Sequence, residues 1–193
     1  KSASGIISVT VFTSPRPEYT DKRTGKRKIQ KFTCKWNCYY CPNEPAHEDN
    51  NWQAQPRSYL YKEPAVMRAN AHKFEAYEQM IDRMNALLMM GMEIDKLEII
   101  IEGGTYTEYP TEYLKRFHRD IFYAANTFFE KEKRPKMDIY REMYVNITTK
   151  VKIIGICIET RPDVISSDWI RFFRYTGTTR IQLGIQHLDS EIL

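Results

Sequence analysis

The sequence has no long hydrophobic run and contains few glycines and few cysteines. No apolar stretch approaches the ~20 residues that cross a bilayer, and the first residues, KSASGIISV, lack the charged-then-apolar layout of a secretory signal. Eight glycines and four cysteines among 193 residues exclude a collagen-like fibre and a disulfide-dense mini-protein. We therefore expect no membrane association, a cytoplasmic setting with the nucleus as the alternative, and cysteines that act as thiols or metal ligands.

The composition is that of one globular domain with uneven charge. Hydrophobic residues make up 42% and charged residues 28% of the chain, enough for a real core over residues 1–193. The net charge is +4, but residues 1–41 carry nine Lys or Arg against two acids. The positive charge therefore belongs to the N-terminal segment.

Hydrophobic patterns predict alternating strands and helices. Strands are predicted at 6–12, 97–101, 151–158 and 179–186, and helices at 64–90, 114–128, 137–146 and 165–175. A basic loop is predicted at 13–31 and a cysteine-bearing loop at 32–45. This order predicts parallel βα units of an α/β fold, a partial TIM-type barrel with polar residues at the C-terminal ends of its strands. Because four strands do not close a barrel and 189–193 stop where a helix should begin, we expect an N-terminal fragment.

Cys34, Cys38 and Cys41 have the spacing C-x3-C-x2-C. On a tight loop, three thiolates can bind a four-iron cluster and leave one iron free for the amino and carboxylate groups of S-adenosylmethionine. Tyr40 would then lie near the adenine. Two alternatives remain open: a zinc-stabilised RNA-binding module in which His47 completes a Cys3His site, or unrelated buried thiols. The fourth cysteine, Cys157, lies within a predicted strand and is predicted to be a core residue.

The cysteine spacing after a first strand is typical of radical S-adenosylmethionine enzymes, and the chain resembles the radical domain of the Elongator protein 3 family. The matching segments are SASGI at 2–6, CYYCP at 38–42, EPAVMRA at 63–69, DKLEIIIEGGTY at 95–106, GICIETRPD at 155–163 and TRIQLGIQ at 179–186. The spacing of the first two cysteines is shorter than is usual in this family. The acetyltransferase-type domain of the family has no counterpart in these residues, so the acetyl-CoA pocket is expected to be incomplete.

The resemblance implies carboxymethylation of the wobble uridine of tRNA. A deoxyadenosyl radical made from S-adenosylmethionine would abstract hydrogen from the methyl group of acetyl-CoA, and the resulting carbon radical would add to the uracil ring. Thioester hydrolysis would then leave the carboxymethyl group. The implied partners are tRNA and other Elongator-like subunits. A different radical S-adenosylmethionine reaction is the alternative within enzymes.

Residues after the predicted strands are the candidate cofactor contacts. Gly103, Gly104 and Thr105 allow close backbone approach to a ligand, although a plain turn is the alternative. Glu159 can hold a ribose hydroxyl or an amine, and Gln186 can donate or accept a hydrogen bond; a Glu–Arg pair bracing the loop and a satisfied loop amide are the alternatives. By resemblance, Lys96 contacts acetyl-CoA, whereas the sequence alone indicates a solvated lysine.

The basic segment is the candidate RNA contact. Six of its cations would bind RNA phosphates, and the rings of Phe32 and Trp36 could stack on unpaired bases. Arg68 and Arg161 are further candidates, with bracing of the nearby loops as the alternative. The six cations are Arg16, Lys22, Arg23, Lys26, Arg27 and Lys28. A merely solvated loop is the alternative for this segment.

Overall fold

The computed structural model describes residues 5–189, which form six strands and five α-helices. The strands are β1 (Ile7–Phe12), β2 (Glu18–Thr20), β3 (Arg27–Ile29), β4 (Lys96–Glu102), β5 (Lys152–Thr160) and β6 (Arg180–Leu183). The helices are α1 (Pro64–Ala71), α2 (Ala76–Met89), α3 (Thr111–Thr127), α4 (Ile139–Asn146) and α5 (Ser167–Tyr175). The start of the family segment at 2–4 and the chain end at 190–193 lie outside the described residues.

Four strands form one parallel sheet in the order β1-β4-β5-β6. Each parallel connection contains helical segments, so the predicted α/β fold of parallel βα units is confirmed. Among residues 5–189 the sheet is open and does not close into a barrel. Within the same residues, no helix combines the length and apolar character needed to cross a bilayer.

Side-chain alternation along the strands separates two faces of the sheet. On β4, Leu97, Ile99 and Ile101 are buried at 2% exposure or less, whereas Glu98 and Ile100 between them are half-buried. The prediction that 97–101 is buried on both faces is therefore wrong. The helices α2, α3 and α5 cover one face with apolar residues such as Met80, Leu114 and Phe173, which pack in one core with the strands. The opposite face remains available for polar groups.

The predicted single helix at 64–90 is wrong, because two helices meet there at a sharp break. Lys73 and Phe74 have positive φ angles of 51° and 58°, which end α1 before α2 begins. The break turns the Phe74 ring into a small apolar cluster with Phe12 and Val66. Burial of this ring to 6% exposure outweighs the helical propensity of a segment that contains no glycine and, after Pro64, no proline.

The predicted basic loop at 13–31 contains a short antiparallel hairpin. Strands β2 and β3 pair around a turn in which Gly25 has a φ of 65°. The hairpin is tied to the rest of the molecule by Gln30, whose Nε2 donates to the Glu108 carbonyl at 2.9 Å, and by Arg116 of α3, which donates to the Glu18 carbonyl at 2.9 Å. The cations of this segment therefore lie on a defined surface.

Candidate active site

The cysteine loop lies against the C-terminal end of β4. Thr105 donates its N–H to the Thr33 carbonyl at 2.9 Å and its hydroxyl to the Cys34 Sγ at 3.2 Å. Within the loop, Cys41 N–H donates to the Cys38 carbonyl at 3.1 Å. All three loop thiols are half-buried and free, whereas Cys157 is fully buried, as predicted for a core residue.

One cavity of about 590 Å³ opens between the cysteine loop and the C-terminal edge of the sheet. It is lined by the three loop cysteines and by every residue that the sequence assigned to S-adenosylmethionine. These residues are Cys34, Cys38, Cys41, Tyr40, Gly103, Gly104, Thr105, Glu159 and Gln186. Residues more than 140 positions apart in the sequence thus line one cavity. This is expected because the C-terminal ends of parallel strands lie at the same edge of a sheet.

The two glycines after β4 are required by close packing. Gly103 has a φ of 134°, and a Cβ there would overlap the Thr13 hydroxyl. A Cβ at Gly104 would overlap the Thr33 carbonyl. The glycines therefore let the cysteine loop approach the sheet, and the plain-turn alternative does not account for this contact.

Two carboxylates lie at the ends of neighbouring strands, and one of them, Glu159, lines the cavity. Ile101 is in register with Ile158, so Glu102 and Glu159 follow at the same level of β4 and β5. Burial, together with the charges of Glu159 and Glu63, raises the pKa of Glu102 to about 7 despite the opposing charge of Arg68. Glu159 accepts a hydrogen bond from the Tyr59 hydroxyl at 3.3 Å.

Arg161 joins the loop after β5 to the cysteine loop. Its guanidinium donates two hydrogen bonds of 2.9 Å to the Asp163 carboxylate, and its Nη1 lies 3.8 Å from the Cys38 Sγ. It also lies over the Trp36 ring, 4.3 Å from the centroid. Asp163 is thus the carboxylate that braces Arg161, and the alternative of a Glu159–Arg161 pair is not seen.

The donor set fits an iron–sulfur cluster better than a zinc ion. Three free thiols from one loop face the same cavity, and soft thiolates are the ligands that such clusters take. His47 does not line this cavity, and its Nε2 lies 3.1 Å from Glu44 Oε1. Among the described residues, no three His, Cys, Asp or Glu side chains gather closely enough to hold a single metal ion. This holds for the three loop thiols as well as for the Cys3His set, so the cluster and the zinc alternative both stay predictions.

Two candidate residues lie away from the cavity. Lys96 is the first residue of β4, and Gly103 follows the last one. Lys96 is exposed and lies about 20 Å along the strand from Gly103. Arg68 is half-buried, and its Nη2 donates to the Thr10 carbonyl of β1 at 2.8 Å. The acetyl-CoA contact of Lys96 and the RNA contact of Arg68 stay predictions.

The six candidate RNA cations divide into two groups. Lys22 pairs with Glu112 at 2.8 Å, Arg27 pairs with Glu18, and Lys28 pairs with Asp21. The other three, Arg16, Arg23 and Lys26, form no ion pair within the described residues. Because exposed pairs contribute little to stability, all six can still reach an anion.

Sequence reasoning missed three residues of the cavity region: Arg57, Tyr59 and Glu102. Arg57 donates to Asn37 Oδ1 at 2.8 Å and so anchors the cysteine loop. A signal for Glu102 exists in the sequence, because both LEIIIE and GICIE end with a glutamate in the same phase of alternation. Tyr59 and Arg57 lie in a segment without helix or strand, where no periodic pattern predicts which way a side chain points.

The fold and the cavity define an α/β protein with a thiol-lined ligand site at the C-terminal edge of a parallel sheet. No family model matches the sequence. Sequence comparison relates the chain to proteins that modify tRNA. The tRNA uridine(34) acetyltransferase of Dehalococcoides mccartyi is 32% identical over the whole chain, and that of Methanocaldococcus infernus is also 32% identical. Elongator complex protein 3 of Saccharomyces cerevisiae is 30% identical over the whole chain.

The resemblance to the Elongator protein 3 family is thus confirmed, and it extends over the full length of this chain. A solved structure of the archaeal Methanocaldococcus infernus Elp3 with an N-terminal deletion (1–46) has a TM-score of 0.64 and covers 97% of this chain, with 24% identity. At that identity the likeness shows a shared fold. The chain spans about a third of the length of its curated relatives, 35% and 32% of the first two, and 30% of the solved chain.

Proposed function

We propose that this chain is the part of a tRNA-modifying transferase that binds an iron–sulfur cluster and S-adenosylmethionine, and that its open sheet is the first portion of a TIM-type barrel. The observation that carries the proposal is the single cavity in which the three loop cysteines meet the residues after β4, β5 and β6. The names of the full-length relatives, tRNA uridine(34) acetyltransferases, support the substrate class.

Cys34, Cys38 and Cys41 would hold the cluster. When bound, a four-iron cluster supplies the electron that cleaves S-adenosylmethionine reductively. The chain itself would position the cysteine loop and the ligand. Gly103 and Gly104 bring the backbone close to the cavity, and Arg161 holds the cysteine loop to the end of β5. Excluding water and aligning the reactants are the contributions expected of the protein.

The remaining lining residues would orient S-adenosylmethionine. Glu159 would accept from a ribose hydroxyl or the amino group, and the Tyr59 hydroxyl holds this carboxylate from the protein side. Gln186 would donate or accept a hydrogen bond from the chain after β6, and the Tyr40 ring would lie along the adenine. These assignments use only groups that line the cavity or contact a lining group.

We extend the proposal to the complete reaction, carboxymethylation of the tRNA wobble uridine with acetyl-CoA as the carbon donor. Its support is the family resemblance and the uridine(34) specificity in the names of the relatives. Lys96 would contact acetyl-CoA from the edge of the sheet opposite to the cavity. Elongator-like subunits are the proposed protein partners, as the name of the yeast relative suggests.

Anaerobic reconstitution with iron and sulfide tests the cluster assignment. We expect about four iron atoms per chain and reductive cleavage of S-adenosylmethionine. Cys34→Ser, Cys38→Ser and Cys41→Ser should each remove most of the iron, because a hard hydroxyl poorly replaces a thiolate. Cys157→Ser is the matched control, since this buried thiol faces no described part of the cavity. Iron analysis and the electron paramagnetic resonance of the reduced protein provide the measurements.

Either of two results would overturn the proposal. One is a protein that binds a single zinc and no sulfide. The other is iron loading that survives all three loop substitutions but is lost in Cys157→Ser.

A further inference from the structure

A second cavity adjoins the cysteine loop, and its lining includes Arg16 and Phe32 of the candidate RNA contact. It has a volume of about 490 Å³ and is bounded by the basic segment, the loop cysteine Cys34 and the chain around Arg57. Cys34 and Arg57 also line the first cavity, so the two spaces share a wall. A ligand in the second cavity would therefore lie next to the proposed cluster site.

Phe32 and Trp36, the two candidate stacking rings, differ in their surroundings. Phe32 lines the second cavity and is 48% exposed, with its carbonyl held by the Gln30 side chain at 2.8 Å. Trp36 is already covered by cations, because Lys35 Nζ and the Arg161 guanidinium lie 4.4 and 4.3 Å from its ring centroid. Phe32 is thus the ring that remains available for stacking.

The charge of the cavity favours an anion. Arg16 and Lys31 line it, and neither forms an ion pair within the described residues. The acidic lining residue is Glu44, whose carboxylate accepts from Asn50 Nδ2 at 3.0 Å and from Tyr61 N–H at 2.7 Å. Glu44 keeps its negative charge, but Arg16, Lys31 and Arg57 outnumber it, so the net charge of the lining is positive.

A third cavity lies beyond Arg16, and no cysteine lines it. It has a volume of about 280 Å³, and its charged lining residues are the cations Arg16, Arg27, Lys73 and Arg116 and the acids Glu18, Glu75 and Asp120. Arg16 is common to the second and third cavities. The three cavities therefore form a series, with Cys34 and Arg57 at one junction and Arg16 at the other.

From this arrangement we propose that the second cavity holds one unpaired nucleotide of a single-stranded RNA, with its base stacked on Phe32 and its flanking phosphates at Arg16 and Lys31. An exposed ring between unpaired cations is the arrangement with which proteins bind single-stranded RNA. The inference rests on the proposed tRNA substrate and specifies where the RNA approaches the cysteine loop.

Binding of a labelled, unstructured oligouridine RNA of about ten nucleotides to the purified chain tests the inference. Phe32→Ala should weaken binding at least about fivefold, the loss of one base–aromatic stack, without changing the salt dependence. Arg16→Gln should lower the slope of log affinity against log salt by about 0.7. Fluorescence anisotropy over a salt series measures both quantities.

Matched variants separate stacking from changes in folding. Phe32→Trp keeps a flat ring and should bind as the unmodified chain does, whereas Phe32→Leu keeps apolar bulk and should bind as Phe32→Ala does. Phe129→Ala, which removes a 44% exposed ring at the end of α3, should leave affinity unchanged. Lys131→Gln, an exposed cation beyond α3, should leave the salt slope unchanged.

Several outcomes would overturn the inference. Unchanged affinity in Phe32→Ala would show that no base stacks there, and equal binding of a blunt RNA duplex would show that no unpaired nucleotide is held. Absence of RNA binding at low salt would exclude the nucleic-acid ligand altogether. Failure of the proposed function is distinct, because it appears as absent iron or absent S-adenosylmethionine cleavage, while these binding measurements need no cluster.

Discussion

The two faces of the four-stranded sheet have different chemistry, although the same strands build both. The face covered by α2, α3 and α5 presents mainly apolar side chains, among them Val9, Ile99 and Ile156, each at 1% exposure or less. The opposite face carries Glu98, Glu102 and Glu159 together with apolar residues that include Phe12 and Ile100. Beyond the register shift beside Leu97 and Glu98, side chains of paired strands alternate in step, so a slip of one residue would exchange the two faces.

This difference indicates a division of labour between stability and ligand binding. The covered face buries its side chains almost completely, which is where the free energy of folding comes from. The open face keeps charged groups partly solvated and ends at the thiol-lined cavity. Substitutions on the two faces should therefore have separable effects, and three measurements examine this separation.

The largest expected effect comes from truncating one side chain on the covered face. Ile99→Ala should lower the free energy of unfolding by about 2–5 kcal/mol, because the residue is fully buried and the core cannot fully close over the cavity. Ile100→Ala, on the same strand but half-buried on the other face, should cost only about 1 kcal/mol. Urea unfolding measures both values. Equal losses would contradict the difference between the faces.

A buried histidine should make the covered side sensitive to acid. His118 of α3 is fully buried, with its Nε2 2.7 Å from the Tyr106 hydroxyl, and burial lowers its pKa to about 3. The unfolded chain takes up a proton near pH 6.5 and the folded chain does not, so stability is complete above pH 6.5 and falls as the pH drops. This residue should contribute a loss of about 2 kcal/mol by pH 5.

The variant His118→Gln can still accept from Tyr106 but cannot be protonated in this range. Unfolding measured from pH 7 to pH 5 should show a smaller loss for His118→Gln than for the unmodified chain. Parallel pH profiles for the two proteins would exclude this explanation.

Glu102 should have the smallest effect on stability. Its pH dependence should be opposite to that of His118, because stability is lost as the pH rises. Its folded pKa of about 7 exceeds the unfolded value near 4.5, so the folded chain retains the proton longer and stability falls as the pH rises between these values. After allowance for solvent screening, the loss should be on the order of 1 kcal/mol. Glu102→Gln should remove it, giving a variant more stable than the unmodified chain above pH 7 and equal to it near pH 4.5.

A stability curve above pH 7 that does not change in Glu102→Gln would show that the carboxylate is adequately solvated. The pH profile of Glu159→Gln serves as a comparison at the neighbouring strand end, where the side chain accepts from Tyr59.

Sequence patterns predicted the parts of this molecule that depend on local order. The parallel strands could be predicted from apolar runs that alternate with helical patterns. The residues that line the cavity could be predicted because polar residues and glycines follow the predicted strands directly. Glu159 and Gln186 could be placed beside the cysteine loop because parallel strands end at one edge. The family resemblance added the identity of the ligand to this placement.

The features that escaped prediction depend on contacts between distant residues. The break at Lys73 and Phe74 has no glycine or proline and is stabilised by burial of a ring against β1. The contact between Tyr59 and Glu159 joins residues 100 positions apart. Likewise, the cations over Trp36 could not be inferred, since Arg161 reaches it from the end of β5. Such contacts become visible only when the chain is folded.

The sequential order of the four strands has a consequence for biosynthesis. Cys41 precedes Gln186, the last residue of the cavity wall, by about 145 residues. At ribosomal speeds of about 5–20 residues per second, the thiols leave the ribosome roughly 7–30 s before the far wall exists. During that interval the cysteine loop has no completed pocket to shelter it from oxidants or stray metal ions. Insertion of the proposed cluster is therefore expected to follow synthesis of β6, and nascent chains stalled before residue 180 should accumulate oxidised thiols.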